Sequence, residues 1–94
     1  MFEIKINKVN EVLLIGRLDA SRAKNVQEVF DSINGDCSVD FNELEYISSA
    51  GLGVLLKTYS ILQKSGNQIK LINMHNNIKE VFKLTSLDKV FRIE

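Results

Sequence analysis

The sequence predicts an α/β fold: a mixed, mostly parallel sheet with helices packed mainly on one face. Three observations lead there. Apolar residues alternate with period two in some segments and recur at three- and four-residue spacing in others, in the order β-β-α-β-α-β-α-β. Proline is absent and no low-complexity run interrupts the 94 residues, so residues 1–94 are expected to form one domain. Right-handed crossovers between parallel strands would bring successive helices to the same side of the sheet.

Phe2, Ile4 and Ile6 alternate with Glu3 and Lys5, which predicts a half-buried first strand. Asn7 to Asn10 is polar turn material, and Val12-Leu13-Leu14-Ile15 reads as a strand buried on both faces, paired with the first as a hairpin. Gly16 marks a bulge or a close backbone approach. Ser21 is a candidate cap for a helix carrying Ala23, Val26, Val29, Phe30 and Ile33 at helical spacing, stopped by Asn34-Gly35. Cys37, Val39 and Phe41 predict a third strand, followed by a loop from Asn42 to Ser48. A second helix then buries Leu52, Leu55, Leu56, Tyr59 and Leu62 as one stripe and ends at Ser65-Gly66. Ile69 to Ile72 predicts the fourth strand. Asn77 with Glu80 three residues later resembles a capping box for a third helix through Ile78, Val81 and Phe82, and Val90 to Ile93 predicts a last strand.

Composition narrows the function classes. A formal net charge of +0 gives no bulk attraction to nucleic acid or anionic lipid. No basic cluster with interleaved aromatics is present, which argues against direct nucleic-acid binding. No segment has the length to span a bilayer, and the start of the chain lacks the pattern of a signal peptide. The single cysteine, Cys37, offers no intrachain disulfide or cysteine metal cluster and is expected in the core. His75 lies in a polar loop without the partners a metal site needs. The expectation is a cytoplasmic protein that needs no cofactor or metal and is not an enzyme.

The most informative stretch is Tyr46-Ile47-Ser48-Ser49-Ala50-Gly51-Leu52-Gly53. Two hydroxyls follow an extended apolar segment and precede a helical one. They are therefore placed near free backbone N–H groups and the positive end of a helix dipole. Such a serine either caps the helix or carries a phosphate. Gly51 and Gly53 either permit close packing at the helix start or let a partner approach the backbone. They form no phosphate-binding loop, since the Gly-Lys-Ser/Thr ending is missing. Asp19 and Asp40 follow strands and are candidates for the same sheet edge, where ligand and partner sites of open α/β sheets lie; the alternatives are a helix cap and a solvated strand residue. Val54 and Ile61 lie off the main stripe of the second helix, either beside the core or as an exposed docking strip.

The element order, Gly16-Arg17-Leu18-Asp19 after the second strand, Val39-Asp40-Phe41 on the third, and Ser48-Ser49-Ala50-Gly51-Leu52-Gly53 at the second helix together resemble the STAS domain. This is the family of sulphate transporters and anti-sigma factor antagonists. The ending Thr85-Ser86-Leu87-Asp88-Lys89-Val90-Phe91 is similar to the family's as well, and the resemblance covers nearly the whole chain. It implies a bacterial anti-sigma factor antagonist. The unmodified form would bind an anti-sigma factor that is itself a histidine-kinase-like serine kinase, releasing a sigma factor. Phosphorylation would break the complex and a serine phosphatase would restore it.

A typical family segment reads Asp-Ser-Ser/Ala-Gly-Leu-Gly. Alignment on Gly51-Leu52-Gly53 implies Ser49 as the phosphoacceptor, with Ser48 standing where the aspartate is usual and as the second candidate acceptor. The implied partner surface comprises Asp19, Asp40, Ser48, Ser49, Gly51, Gly53 and Val54. Two other readings differ in class: a STAS scaffold or transporter-associated module that is never phosphorylated, and a small enzyme or nucleotide-binding protein, for which no complete catalytic constellation is visible.

Overall fold

The computed structural model describes residues 1–7 and 10–94; the middle of the expected turn from Asn7 to Asn10 lies outside the described residues. The chain runs β1 (Phe2–Asn7), β2 (Glu11–Leu18), a 3-10 turn (Ala20–Arg22), α1 (Ala23–Asp31), β3 (Cys37–Ile47) and α2 (Ser49–Lys64). It continues through β4 (Ile69–Ile72), α3 (Asn76–Leu84), a second 3-10 turn (Leu87–Lys89) and β5 (Arg92–Ile93). The sheet order is β1-β2-β3-β4-β5. Among the described residues only the β1–β2 pair is antiparallel, and β2 through β5 run parallel. The α/β class and the order of elements agree with the sequence-based expectation.

One face of the sheet carries the core. Val12, Leu14 and Leu18 of β2 and Val39 and Phe41 of β3 are fully buried, together with Val26 of α1, Leu55 of α2 and Phe82 of α3. They belong to a single hydrophobic cluster. Phe82 meets Phe41 and Phe91 edge to face at centroid distances of 6.0 and 5.9 Å, and Phe91 meets Tyr59 at 5.5 Å. That chain of rings ties α2, α3 and the approach to β5 onto the strands. Leu13 and Ile15, on the opposite face, are only half-buried. The unbroken apolar run of β2 therefore does not signal two covered faces; the helices take one, and neighbouring strands shade the other.

β3 departs most from expectation. The segment expected as a loop from Asn42 is strand as far as Ile47. From Val12 to Leu18, β2 advances six residues while β3 advances eight, from Val39 to Ile47, with register shifts between Leu13 and Ile15 and between Gly16 and Arg17. Each shift places one additional residue on β3, as bulges do. The inward residues thus fall at Phe41, Leu44 and Ile47, and the period of two that betrays a strand is lost. Gly16 sits at this irregularity with φ +91°, where a Cβ would strike the Met1 carbonyl, and Arg17 N–H donates to that same carbonyl at 3.0 Å.

Two caps and the last strand also differ. Asp19, not Ser21, caps the first 3-10 turn, accepting from the Ser21 backbone N–H at 3.1 Å. α3 begins one residue before Asn77, whose side chain donates to the Glu45 carbonyl at 3.3 Å instead of closing a capping box. β5 is two residues long because Leu87–Lys89 turns and leaves Val90 outside the strand.

Candidate functional site

The C-terminal ends of β2 and β3 bring the key residues together. Ser48 N–H donates to the Leu18 carbonyl at 2.9 Å, so Asp19, the residue that follows β2, stands beside the entrance of α2. Ser48 is the N-cap of α2: its backbone is extended (φ −86°, ψ 169°) and its Oγ accepts from the Gly51 N–H at 3.2 Å. Its carbonyl accepts from the Leu52 N–H at 3.0 Å. Ser49, the first helical residue, is exposed, and its hydroxyl makes no hydrogen bond among the described residues. The two serines have thus separated into a structural oxygen and a free one at the positive end of a sixteen-residue helix. Ser48→Ala is expected to lower stability by about 1 kcal/mol and Ser48→Asp to retain it, since aspartate caps as well as serine does; thermal melts of the two variants check this.

Asp19 is exposed, and its Oδ1 accepts both the Ser21 Oγ–H at 2.6 Å and the Ser21 N–H. The side-chain bond from Ser21 is the chief reason its carboxyl is held below the ordinary 3.8, with the backbone bond and the Arg22 charge adding to it. A depressed carboxyl stabilises the fold above its unfolded value and loses that contribution as pH falls through the lower folded one. The cap is therefore charged throughout the neutral range.

Asp40 is not part of this cluster. It lies within β3, in register with Leu13 and Ile72, five β2 residues or roughly 16 Å short of the Leu18 level. Its Oδ1 accepts from the Asn42 N–H at 2.9 Å and from Asn73 Nδ2 at 3.1 Å. Asn73 has φ +58°, so Asp40 braces a left-handed residue in the loop before α3. The expectation of Asp40 at the sheet edge fails because β3 continues for seven residues beyond it.

Three further expectations are corrected. Val54 is 7% exposed, so it belongs to the core and is not offered to a partner. Gly51 is buried too, and a Cβ there would come within 2.9 Å of Ile47 Cγ1 and of Leu18 Cγ. Its missing side chain serves packing of α2 against β2 and β3. Gly53 is the contrasting case: it is exposed, with open space where a Cβ would go. Leu56, expected in the buried stripe, is 40% exposed, and Ile61 is exposed as well. Ser49, Gly53, Leu56 and Ser60 follow i, i+4, i+7, i+11 spacing, a single exposed ridge along α2. Gly51→Ala is expected to cost about 1–3 kcal/mol by overpacking, whereas Gly53→Ala should be neutral or stabilising by up to about 1 kcal/mol through helix propensity. Urea denaturation of both proteins tests the difference in sign.

One surface pair escaped the sequence reading. The Arg17 guanidinium lies over the Tyr46 ring, 4.4 Å from its centroid. The two residues face each other across β2 and β3, and Tyr46 is 39% exposed. Extending β3 to Ile47 is what makes the pairing visible. Among the described residues no group of three or more His, Cys, Asp or Glu side chains can hold a metal ion. Burial pushes the Cys37 thiol up to about 11, away from any nucleophilic role at neutral pH.

A family model described as "Mlab, STAS domain" matches residues 7–93. The chain belongs to the STAS domain family. Among curated relatives, the anti-sigma-B factor antagonist of Bacillus subtilis is 26% identical over 86 residues, spanning 88% of this chain and 79% of the relative. The protein of the same name from Staphylococcus aureus is 23% identical over 91 residues, spanning 93% and 84%. Among solved structures, an anti-sigma factor antagonist from Mycobacterium paratuberculosis superposes with a TM-score of 0.79 at 22% identity, covering 99% of this chain and 83% of that one. The anti-sigma factor antagonist SpoIIAA matches in its unphosphorylated form with a TM-score of 0.71 and in its phosphorylated form with 0.73, both at 17% identity. Each covers 100% of this chain, against 87% and 91% of SpoIIAA respectively. The structural likenesses are likenesses of fold. Among the described residues no helix is long and apolar enough to cross a membrane.

Proposed function

We propose that this STAS domain is an anti-sigma factor antagonist switched by phosphorylation at Ser49. The observation that carries the reading is the division between the adjacent serines: Ser48 Oγ is engaged as the helix cap, while Ser49 is exposed at the head of the α2 ridge. The names of the curated relatives support the same role. In the unmodified state the partner, an anti-sigma factor acting as a serine kinase, docks on Ser49, Gly53 and the neighbouring surface that includes Asp19. Its sigma factor is thereby released. A serine phosphatase returns the modified protein to the active pool, and the chain itself catalyses nothing.

The energetics favour a block at the interface over a change of fold. A phosphate at a helix N-terminus interacts favourably with the dipole, by roughly 0.3–1 kcal/mol per charge. Desolvating a poorly paired phosphate against a partner costs several kcal/mol per ion. The modified domain therefore stays folded and loses its partner. Incubation with ATP and the serine kinases encoded in the same genome, followed by mass spectrometric mapping, tests the proposal. Phosphate on Ser49 with loss of kinase binding supports it. Stable binding without modification favours the non-phosphorylated scaffold, a reading suggested by Ser48 in place of the acidic residue. Phosphate on Ser48 alone would transfer the switch to the cap.

A further inference from the structure

At the far side of the sheet from β1, β5 is an edge strand, and a groove of about 480 Å³ lies between it and α3. Its walls are Lys79 and Lys83 of α3, Asp88, Phe91, Arg92 and Ile93. Lys79 and Lys83 are one helical turn apart and point into the same groove. Both are exposed, and neither joins an ion pair among the described residues. Arg92 is paired with Glu94, leaving two lysines against the single carboxylate of Asp88.

The backbone beside these lysines is free in one direction. Glu94 N–H donates to the Leu71 carbonyl at 2.8 Å, and Leu71 stands opposite Ile93. In a parallel pair Leu71 therefore bonds to residues 92 and 94, and the N–H and C=O of Ile93 point to the outer edge. An unpaired edge donor and acceptor recruit an extended segment from another chain. The half-buried Ile93 and the buried Phe91 give the groove an apolar floor.

We infer that the outer edge of β5 and the Lys79–Lys83 wall form a second docking site, which takes an extended acidic peptide segment of a partner protein as a sixth strand. Main-chain bonds to Ile93 fix its register, and its carboxylates meet the two lysines. Lys79 and Lys83, exposed and without ion pairs among the described residues, select an acidic segment as the occupant by charge complementarity. Ser49 is not among the groove's lining residues, and docking there does not depend on the phosphorylation switch.

The test uses the full chain, uniformly labelled for nuclear magnetic resonance, titrated with a capped octapeptide alternating glutamate and valine. Saturable shifts at Ile93, Lys79 and Lys83 are expected below about 1 mM peptide, with slowed exchange of the Ile93 amide. Lys79→Glu combined with Lys83→Glu should weaken binding about tenfold or more. The neutral pair Lys79→Gln/Lys83→Gln should weaken it less, and it serves if charge reversal disturbs α3. Rising salt should weaken binding in parallel. No saturable shift, shifts confined to other residues, or equal binding of a lysine–valine octapeptide would overturn the proposal. So would an oligothymidylate binding the same residues as tightly, because the groove would then read charge without strand pairing.

Discussion

Ser49→Asp is expected to bind the proposed serine-kinase partner about a thousandfold more weakly than Ser49→Ala, a difference of roughly 4 kcal/mol. Both variants should melt with the parent protein. The Ser49 hydroxyl makes no hydrogen bond among the described residues and the residue is exposed, so neither substitution removes a side-chain hydrogen bond. Aspartate at the first helical position is tolerated by the dipole. The loss must therefore arise where a partner presses against the head of α2 and strips water from the carboxylate. Calorimetric titration of each variant against the kinase, with parallel thermal melts, measures the two quantities separately. Equal affinity of the two variants would remove Ser49 from the interface. A drop in melting temperature for Ser49→Asp alone would indicate that charge acts through the fold. Ser48→Ala should show the reverse pattern, with stability lowered and the surface charge unchanged.

Phe82→Ala is expected to give the largest stability loss of any single substitution considered, about 3–5 kcal/mol. Phe82 is fully buried and meets both Phe41 and Phe91 edge to face. Truncation removes the ring's own burial and two aromatic contacts worth roughly 0.5–1.5 kcal/mol each. Domains of this size are typically stable by only about 5–15 kcal/mol, so the variant should sit near its threshold at 37 °C. Urea unfolding followed by far-ultraviolet circular dichroism suits a chain without tryptophan. Leu84→Ala is the control from the same helix: Leu84 is 78% exposed, and its truncation should change little.

The class of fold was legible because each element carried its own period. β4 matched its expected bounds, and spacing located α1 and α2, with Leu56 the exception in the α2 stripe. β3 was legible only as far as Phe41. Beyond it the two bulges spread Leu44 and Ile47 to a spacing of three, which imitates a helix or a loop, and no local pattern distinguishes that from a bulged strand. This one misreading moved Asp40 toward the site and hid the stacking of Arg17 on Tyr46. At the site itself, the choice between Ser48 and Ser49 followed from the glycine register of the family resemblance, and the free hydroxyl of Ser49 required the structure. Gly51 and Gly53 looked alike in sequence because glycine records the absence of a side chain and not what fills the space. Val54 and Leu56 exchanged expected roles because the buried arc of α2 is broad enough to include Thr58 and Val54 on its far flank.

The additional residues of β3 also act as a mechanical link. The Asn42 carbonyl lies 2.6 Å from His75 Nε2, which must carry a proton to donate there, and the Glu45 carbonyl accepts from Asn77 Nδ2. The strand that delivers Ser48 to the head of α2 thus holds the entrance of α3 at the places where its pairing with β2 is irregular. Sliding β3 along its axis would displace both helix entrances together. The irregularity that obscured the strand in the sequence fastens one end of the helical layer to the other.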